Sequence, residues 1–438
     1  MPGRVIAVVL LRASLLAVLL LLAGTTHARA QERAAAPPAA SGEPLGQEAS
    51  PRADDARLSD EVLIPIRNQI IPTDVRTRVG DWWLSWFASE LLQYDDNIFL
   101  EQRDTDSDLV SLTTAGATLA RRGAELEVQL TAALSGEVFL HQGDENTWGG
   151  YLQGGARLGF GHGYVRLFDT LSRREAAIQF TDVQGSTVVA AGAVRTSQLI
   201  NEGGVDLGYD WEKLGVEGKY QNSYWAYGRE LDTLDAVGNA FTAIAKHYAT
   251  AKLELNAQLE HRDVSFDQDV QNDFATNGVF AGMRWQASEK VALHGRVGYL
   301  IESSDQDGAV QDASDYHGGA GDATLSWKPS AKIETELGYV HDLYIAAGNN
   351  YQVVDLIRAT VSWEFEPRWR LRGRVPVQLS HPSNSDDSTI WGVGLSLGWR
   401  PQPAIELLLC YDYQTRSSGE PVSDFTNNRV GVQASLQF

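Results

Sequence analysis

Cysteine is nearly missing from this 438-residue chain, proline is missing from its middle, and positive charge is in short supply. The single Cys410 excludes an internal disulfide framework and a cysteine-built metal cluster. With 36 Lys and Arg against 57 Asp and Glu, the net charge is −21, which leaves no basic surface of the kind a nucleic-acid binder needs. No uninterrupted apolar stretch is long enough for a membrane-spanning helix. That absence says nothing against a membrane-spanning β-barrel, in which only every second residue has to be apolar. Between Pro72 and Pro329 there is no proline at all, as a run of strands paired on both edges demands.

What is present begins with a leader. Arg4 and Arg12 flank its start, Leu15 to Leu22 form an apolar run, and Ala28-Arg29-Ala30 fits the small-x-small cleavage rule. Residues 1–30 are therefore expected to be a removed export signal, and the three arginines lost with it leave a chain of net charge −24. Residues 31–57, rich in Ala, Pro, Gly, Ser and Glu, cannot bury a core and are expected to be disordered. Residues 58–80 carry Leu63, Ile64, Ile66, Ile70 and Ile71 around Pro65 and Pro72. They complete an N-terminal arm, 31–80, that is either a flexible lead-in or a segment entering the body of the protein.

From residue 81 to 438 one unit repeats: about ten residues alternating polar and apolar, then a turn. Val291, Leu293, Val297, Tyr299 and Ile301 share one face; Leu253, Leu255, Ala257 and Leu259 share another; Ile405, Leu407, Leu409, Tyr411 and Tyr413 make a third stripe. A period of two puts each set on one side of a strand. The pattern predicts strands at 83–94, 108–120, 125–140, 147–159, 163–172, 196–210, 214–227, 236–250, 251–265, 275–287, 290–302, 316–328, 331–345, 352–365, 369–380, 389–400, 403–415 and 427–438. That is an all-β fold, a single transmembrane antiparallel β-barrel of about 18 strands, with 16 as the alternative because 173–195 reads equally as loop or strand. Short connections such as Trp211–Lys213 and Glu366–Arg368 alternate with long ones such as Asp95–Ser107, Ser303–Asp315 and Ala346–Tyr351, the arrangement of short periplasmic turns and long outer loops.

Later prolines fall at turns and loops, except Pro376, which sits inside a predicted strand and is expected to make a bulge. Trp82, Trp83, Trp86, Trp211, Trp285, Trp327, Trp363, Trp369 and Trp399 lie at predicted inner ends, and Trp148, Trp225 and Trp391 at outer ends, as two interfacial girdles require. The chain closes on an alternating strand with Leu436 and a terminal Phe438, the pattern that the barrel assembly machinery of the outer membrane recognises. The competing fold is a secreted β-sandwich or propeller, with the apolar faces turned inward.

The first hairpin reads Leu91-Leu92-Gln93-Tyr94-Asp95-Asp96-Asn97-Ile98-Phe99, then Ser107-Asp108-Leu109-Val110. Tyr94, the acidic step Asp95-Asp96, Asn97, then Ser107 and Asp108 resemble the opening of the β-barrel porin type 2 family. Thr114-Ala115-Gly116 stands where that family usually has Pro-Gly. The resemblance covers about 26 residues. It implies an outer-membrane barrel associated with exopolysaccharide export. Read without the family, Asp95, Asp96 and Asn97, with Asp104, Asp106 and Asp108 opposite, either form an Asx-rich turn that holds a loop shut or share a divalent cation.

Chemistry is sparse. Arg370, Arg372 and Arg374 alternate with Trp369, Leu371, Gly373 and Val375, so one strand aims three guanidinium groups into the lumen. They either steer anions or pair with lumen carboxylates such as Glu364 or Glu406. Loop carboxylates Asp305, Asp307, Asp312, Asp315, Asp386 and Asp387 are solvated, or bridge through divalent ions to lipopolysaccharide phosphates. Eight of the histidines are scattered, and none lies in a G-x-S-x-G elbow; His317 beside Asp315 and Tyr316, and His341 beside Asp342, come nearest to a catalytic grouping. Cys410 shares lumen parity with Glu406, Leu408 and Asp412. No catalytic residue, metal site or cofactor is expected. The reading is a bacterial outer-membrane channel that passes hydrophilic solutes or serves polysaccharide export. The alternatives are a non-conducting component of an envelope polysaccharide machine and, less favoured, an outer-membrane hydrolase. Expected partners are outer-membrane lipid and lipopolysaccharide, the barrel assembly machinery and polysaccharide-export proteins, with no nucleic acid.

Overall fold

The computed structural model describes residues 77–103, 105–123, 125–177, 195–228, 231–310, 312–346, 348–419 and 424–437. The expected leader, nearly all of the arm, residues 178–194, Pro421 and Phe438 lie outside the described residues.

A short strand, β1 (Thr77–Val79), turns at Gly80 and pairs back on β2 (Trp82–Asp95). The barrel strands continue as β3 (Asp108–Arg122), β4 (Leu126–Phe139), β5 (Thr147–Phe160), β6 (Gly163–Ala177), β7 (Arg195–Asp210), β8 (Leu214–Tyr227) and β9 (Ala236–Thr250). Then come β10 (Leu253–Phe266), β11 (Phe274–Ser288), β12 (Val291–Ser304), β13 (Tyr316–Ser330), β14 (Ile333–Ala346) and β15 (Asn349–Glu366). The last four are β16 (Trp369–Pro382), β17 (Ser388–Gln402), β18 (Ile405–Ser418) and β19 (Phe425–Gln437). Each of β2 to β19 pairs antiparallel with its sequence neighbours, and β19 pairs with β2 from Arg429 opposite Asp95 to Gln437 opposite Phe87. Eighteen strands thus close on themselves, leaving no free barrel edge. All eighteen predicted strands are present.

The alternation has the sense a bilayer imposes. Leu134 and Val297 are each 70 % exposed and Val279 61 %, whereas Asn427, Gln378 and Gln433 are at most 1 % exposed. Apolar side chains therefore cover the outside and polar ones the inside. A sandwich or propeller has the opposite arrangement, and a closed sheet with a greasy exterior is one of the two constructions that satisfy every backbone group in lipid.

The turns follow local chemistry. Gly161, between β5 and β6, sits at φ +56° with open space around it, so backbone conformation rather than room selects glycine there. At the other end, β15 begins at Asn349, with Ala346 opposite Asn349, so the long loop expected over Ala346–Tyr351 is instead a tight connection.

Two further expectations are corrected. Pro376 makes no bulge: Arg374 opposite Gly394 and Val377 opposite Trp391 keep one register, and the ladder to β17 merely skips the residues between. Proline costs the strand one donor and leaves the register intact. Trp225 belongs to no outer girdle. It faces inward, 4 % exposed, and packs with Leu234, Ala236, Val264 and Phe274. Its position on β8 has inward parity, which outranks its height on the strand.

Candidate functional site: the charged lumen and its outer rim

Along the inner wall, charges of both signs alternate and pair across strands. On β6 to β9, Arg166 approaches Asp206 at 3.4 Å and Lys246 meets Glu217 at 3.0 Å. On β10 to β13, Arg296 binds Asp322 at 2.6 Å, reaches Glu260, and lies over the Phe280 ring. On β14 and β15, Arg358 and Glu336 are 3.0 Å apart. Neighbouring strands thus present a charged interior in which Arg166, Lys246, Arg296 and Arg358 each have an acidic partner on another strand.

Glycines let these side chains lie flat. Tyr164 on β6, Gly208 on β7 and Glu217 on β8 stand in one cross-strand row. The tyrosine lies across the glycine and donates its hydroxyl to the glutamate two strands away. Arg374 on β16, Gly394 on β17 and Asp412 on β18 repeat the device. A Cβ at either glycine would collide with the side chain that crosses it.

The predicted arginine ladder stands on the inward face of β16. Arg370 pairs with Glu364, as anticipated, and Arg374 with Asp412. Arg372 is on the same face, and it too has an interaction partner. Glu406, the other anticipated partner, binds Arg400 at 2.9 Å instead. Cys410 also shares that inner face, with its Sγ 3.4 Å from the Gly431 carbonyl.

The first-hairpin residues converge where the barrel closes. The β19–β2 ladder reaches Arg429 opposite Asp95, the Asp96 N–H still donates to the Asn428 carbonyl at 3.2 Å, and side chains continue the closure beyond it. Asn97, 1 % exposed, donates to the Glu101 and Thr426 carbonyls at 2.8 and 2.9 Å and accepts the Glu101 N–H at 2.8 Å. Asp95 accepts the Asn97 N–H at 3.0 Å and the Asn427 amide at 2.8 Å. Asp96 accepts both the backbone and side-chain N–H of Asn428, at 2.6 and 2.7 Å. Across the hairpin, Asp108 accepts the backbone N–H groups of His141 and Gln142 at 2.9 and 2.8 Å and so caps the end of β4. Ser107 is exposed, and Tyr94 points outward, 49 % exposed. Leu436 faces outward on β19, opposite Ala88.

Farther round the rim, Asp312 knots the outer loops. Its carboxylate accepts the Asn350 N–H at 2.9 Å, the Ser314 N–H at 3.0 Å and the Ser383 hydroxyl. Burial opposes its ionisation, but these donors outweigh it and hold its pKa below the usual carboxylate range. Asp235, at the start of β9, is the reverse case: burial first, then neighbouring Asp267 and Asp232, push it up to about 6 against the Tyr227 N–H it accepts. The folded loop therefore binds a proton that the unfolded chain, with a pKa near 3.8, releases earlier. Its contribution is full below that value and is lost as pH rises through about 6. Asp235→Asn keeps the acceptor and removes the charge. It is expected to raise the melting temperature of the detergent-solubilised barrel at pH 7.5 and to match wild type near pH 4; an equal difference at both pH values would refute this origin.

The histidine groupings resolve differently from their sequence neighbourhoods. His341 bonds Asp355 at 2.9 Å rather than its chain neighbour Asp342, and Tyr339 donates to the same carboxylate at 2.6 Å. His317 is exposed on the outer face of β13. Sequence reasoning missed the lumen pairs of Arg166, Lys246 and Arg296, although each sits at inward parity; which carboxylate each one meets depends on register, which the alternation does not supply.

No family model matches the chain, and no curated protein does. Among solved structures it is similar to OccK2 (OpdF) of Pseudomonas aeruginosa, at 12% identity and TM-score 0.47, covering 83% of this chain and 100% of that one. A BenF-like porin from Pseudomonas fluorescens Pf-5 gives 11% identity and TM-score 0.48, covering 82% and 100%. OccAB3 of Acinetobacter baumannii gives 8% and 0.46, covering 82% and 100%. The likeness is one of barrel construction alone.

Proposed function

We propose that this chain is an outer-membrane channel that passes hydrophilic solutes through a water-filled lumen. The observation carrying this reading is the closed ring of eighteen strands whose inward face is polar and charged along its height. Barrels of this strand number have room for an aqueous passage. The apolar exterior and the aromatic residues at the strand ends suit the outer membrane, where strands rather than helices cross. The paired charges described above favour weak ion selectivity. The lumen is read as a conduit rather than a catalytic centre, with no cofactor or metal required.

Polysaccharide export is the second reading. It rests on the resemblance of Tyr94–Asn97, Ser107 and Asp108 to the porin type 2 opening. In either reading the carboxylates of the outer rim face the lipopolysaccharide layer, and the alternating last strand is the segment the assembly machinery engages. Reconstitution into planar bilayers tests the channel: steady single-channel conductance is expected, and a folded, heat-modifiable barrel that stays silent would replace it with a structural role. Liposome swelling in sugars of increasing size separates small-solute passage from passage of an extended polysaccharide.

A further inference from the structure

The exterior breaks the apolar rule in more than one place: Glu90 with Ser111 and Thr113 on β2 and β3, and His341 with Asp355 and Tyr339 on β14 and β15, also have outward parity, and the widest break lies on β6 to β10. Asp169 on β6, Gly203 on β7, Asn222 on β8, Asn239 on β9 and Asp263 on β10 stand directly opposite one another in a single cross-strand row. All five have outward parity: Leu167, Leu207, Tyr220, Phe241 and Leu259 share their faces and lie on the outer wall. The row is hydrogen-bonded on either side of Gly203. Asp169 lies against Gly203 and accepts the Asn201 amide at 2.6 Å. Asn222 donates to Asn239 at 2.9 Å, and Asn239 donates to Asp263 at 2.9 Å. His261, beside Asp263, continues it to Asn277 at 3.0 Å.

The row also lies deep in the wall. Asp169 stands six residues beyond the first residue of β6, and Asp263 ten beyond that of β10. At about 3.3 Å per residue and a tilt near 40°, the row climbs from roughly 15 to roughly 25 Å above the inner rim. Its lower end lies within the apolar band, too deep for a lipid headgroup. Acyl chains offer no hydrogen bond, and ionisable groups facing lipid at such depths are costly. Immediately below runs a groove of about 710 Å³, with Gly218 and Ala243 on its floor and Leu207, Phe241, Leu259 and Val279 around it. Small residues beside hydrogen-bonding ones are what allow two protein surfaces to approach closely in a bilayer.

We propose that this wall, centred on Asn222 and Asn239, is the interface with a second copy of the chain. Two copies in one membrane share its orientation, so their two-fold axis runs along the membrane normal. Such an axis through the middle of the row makes the two oblique rows cross. The crossing point is then built of neutral amides, so no carboxylate of one copy meets a carboxylate of the other there. The carboxylates fall at the far ends, about 19 Å apart at a strand spacing of about 4.8 Å. Asp169 of one copy then shares a side with the partner's Asp263 but at a different height, so like charges do not meet. The inference rests on the barrel lying in a bilayer and is independent of whether it conducts.

The test uses the full chain in nanodiscs and in intact outer membranes. Gly218 has open space where a side chain would go, so Gly218→Cys in a Cys410→Ser background leaves the row intact. With a bifunctional maleimide it is expected to give cross-linked dimer, while Leu395→Cys on the opposite wall stays single. Native mass spectrometry is expected to read twice the chain mass, and Asn222→Leu with Asn239→Leu to halve it while heat-modifiable folding is retained. A single-chain mass for wild type, equal cross-linking at both sites, or a monomer that retains one lipid per chain and loses it in the double variant would each overturn the proposal. Should the double variant fail to fold, the cross-linking comparison decides alone.

Discussion

Replacing Asn97 with leucine is expected to lower barrel stability by about 3 kcal/mol. The side chain is 1 % exposed and makes three hydrogen bonds, two as donor and one as acceptor. Leucine has the same branching and number of side-chain heavy atoms, with two bulkier methyls and none of this capacity, so the Glu101 N–H and the Glu101 and Thr426 carbonyls lose their partner. Each loss of this kind costs about 1 kcal/mol. The Asn97 backbone bonds to Asp95 and Asn427 remain, which limits the damage to the lock. Urea unfolding in detergent, followed by heat-modifiable mobility, measures it. A midpoint that does not move would mean that backbone pairing alone closes the barrel.

The second large effect concerns selectivity. Changing Arg370, Arg372 and Arg374 together to glutamine removes three positive charges from one strand of the wall. It leaves Glu364 and Asp412 without the cations they now face. The reversal potential under a salt gradient is expected to shift toward cation preference, and most strongly at low ionic strength, where screening is weakest. An unchanged reversal potential with an unchanged barrel would place the selectivity region elsewhere, the Arg296 cluster being the next to test. Shortening Arg374 also uncovers Gly394, so conductance is expected to rise.

The architecture was open to reading because its physics is periodic. Alternation fixes which face of a strand is apolar, and turn residues fix where the strand ends, so β8 and β9 have the predicted bounds. Pro376 misled because a missing donor was equated with an extra residue. Trp225 misled because height was judged without parity. Ala346–Tyr351 misled because Asn349 and Asn350, polar and loop-like in composition, pair at the top of β15. The Arg370–Glu364 contact follows from the β15–β16 hairpin and was within reach. Arg374 with Asp412 was not, because the contact spans two strands and needs both registers. The hydrogen-bonded lock at Asp95–Asn97 has the same origin: half of its partners lie on the last strand, more than three hundred residues away in sequence.

The flattened crossings at Gly208 and Gly394 have a consequence for how such a passage can be adjusted. A single added methyl at either position lifts Tyr164 or Arg374 off the wall and into the opening, with no change in the sum of charges. Exchanging Glu217 or Asp412 does the converse, altering sign while the calibre is kept. Width and polarity are thereby governed by different codons, and either can drift while the other is held.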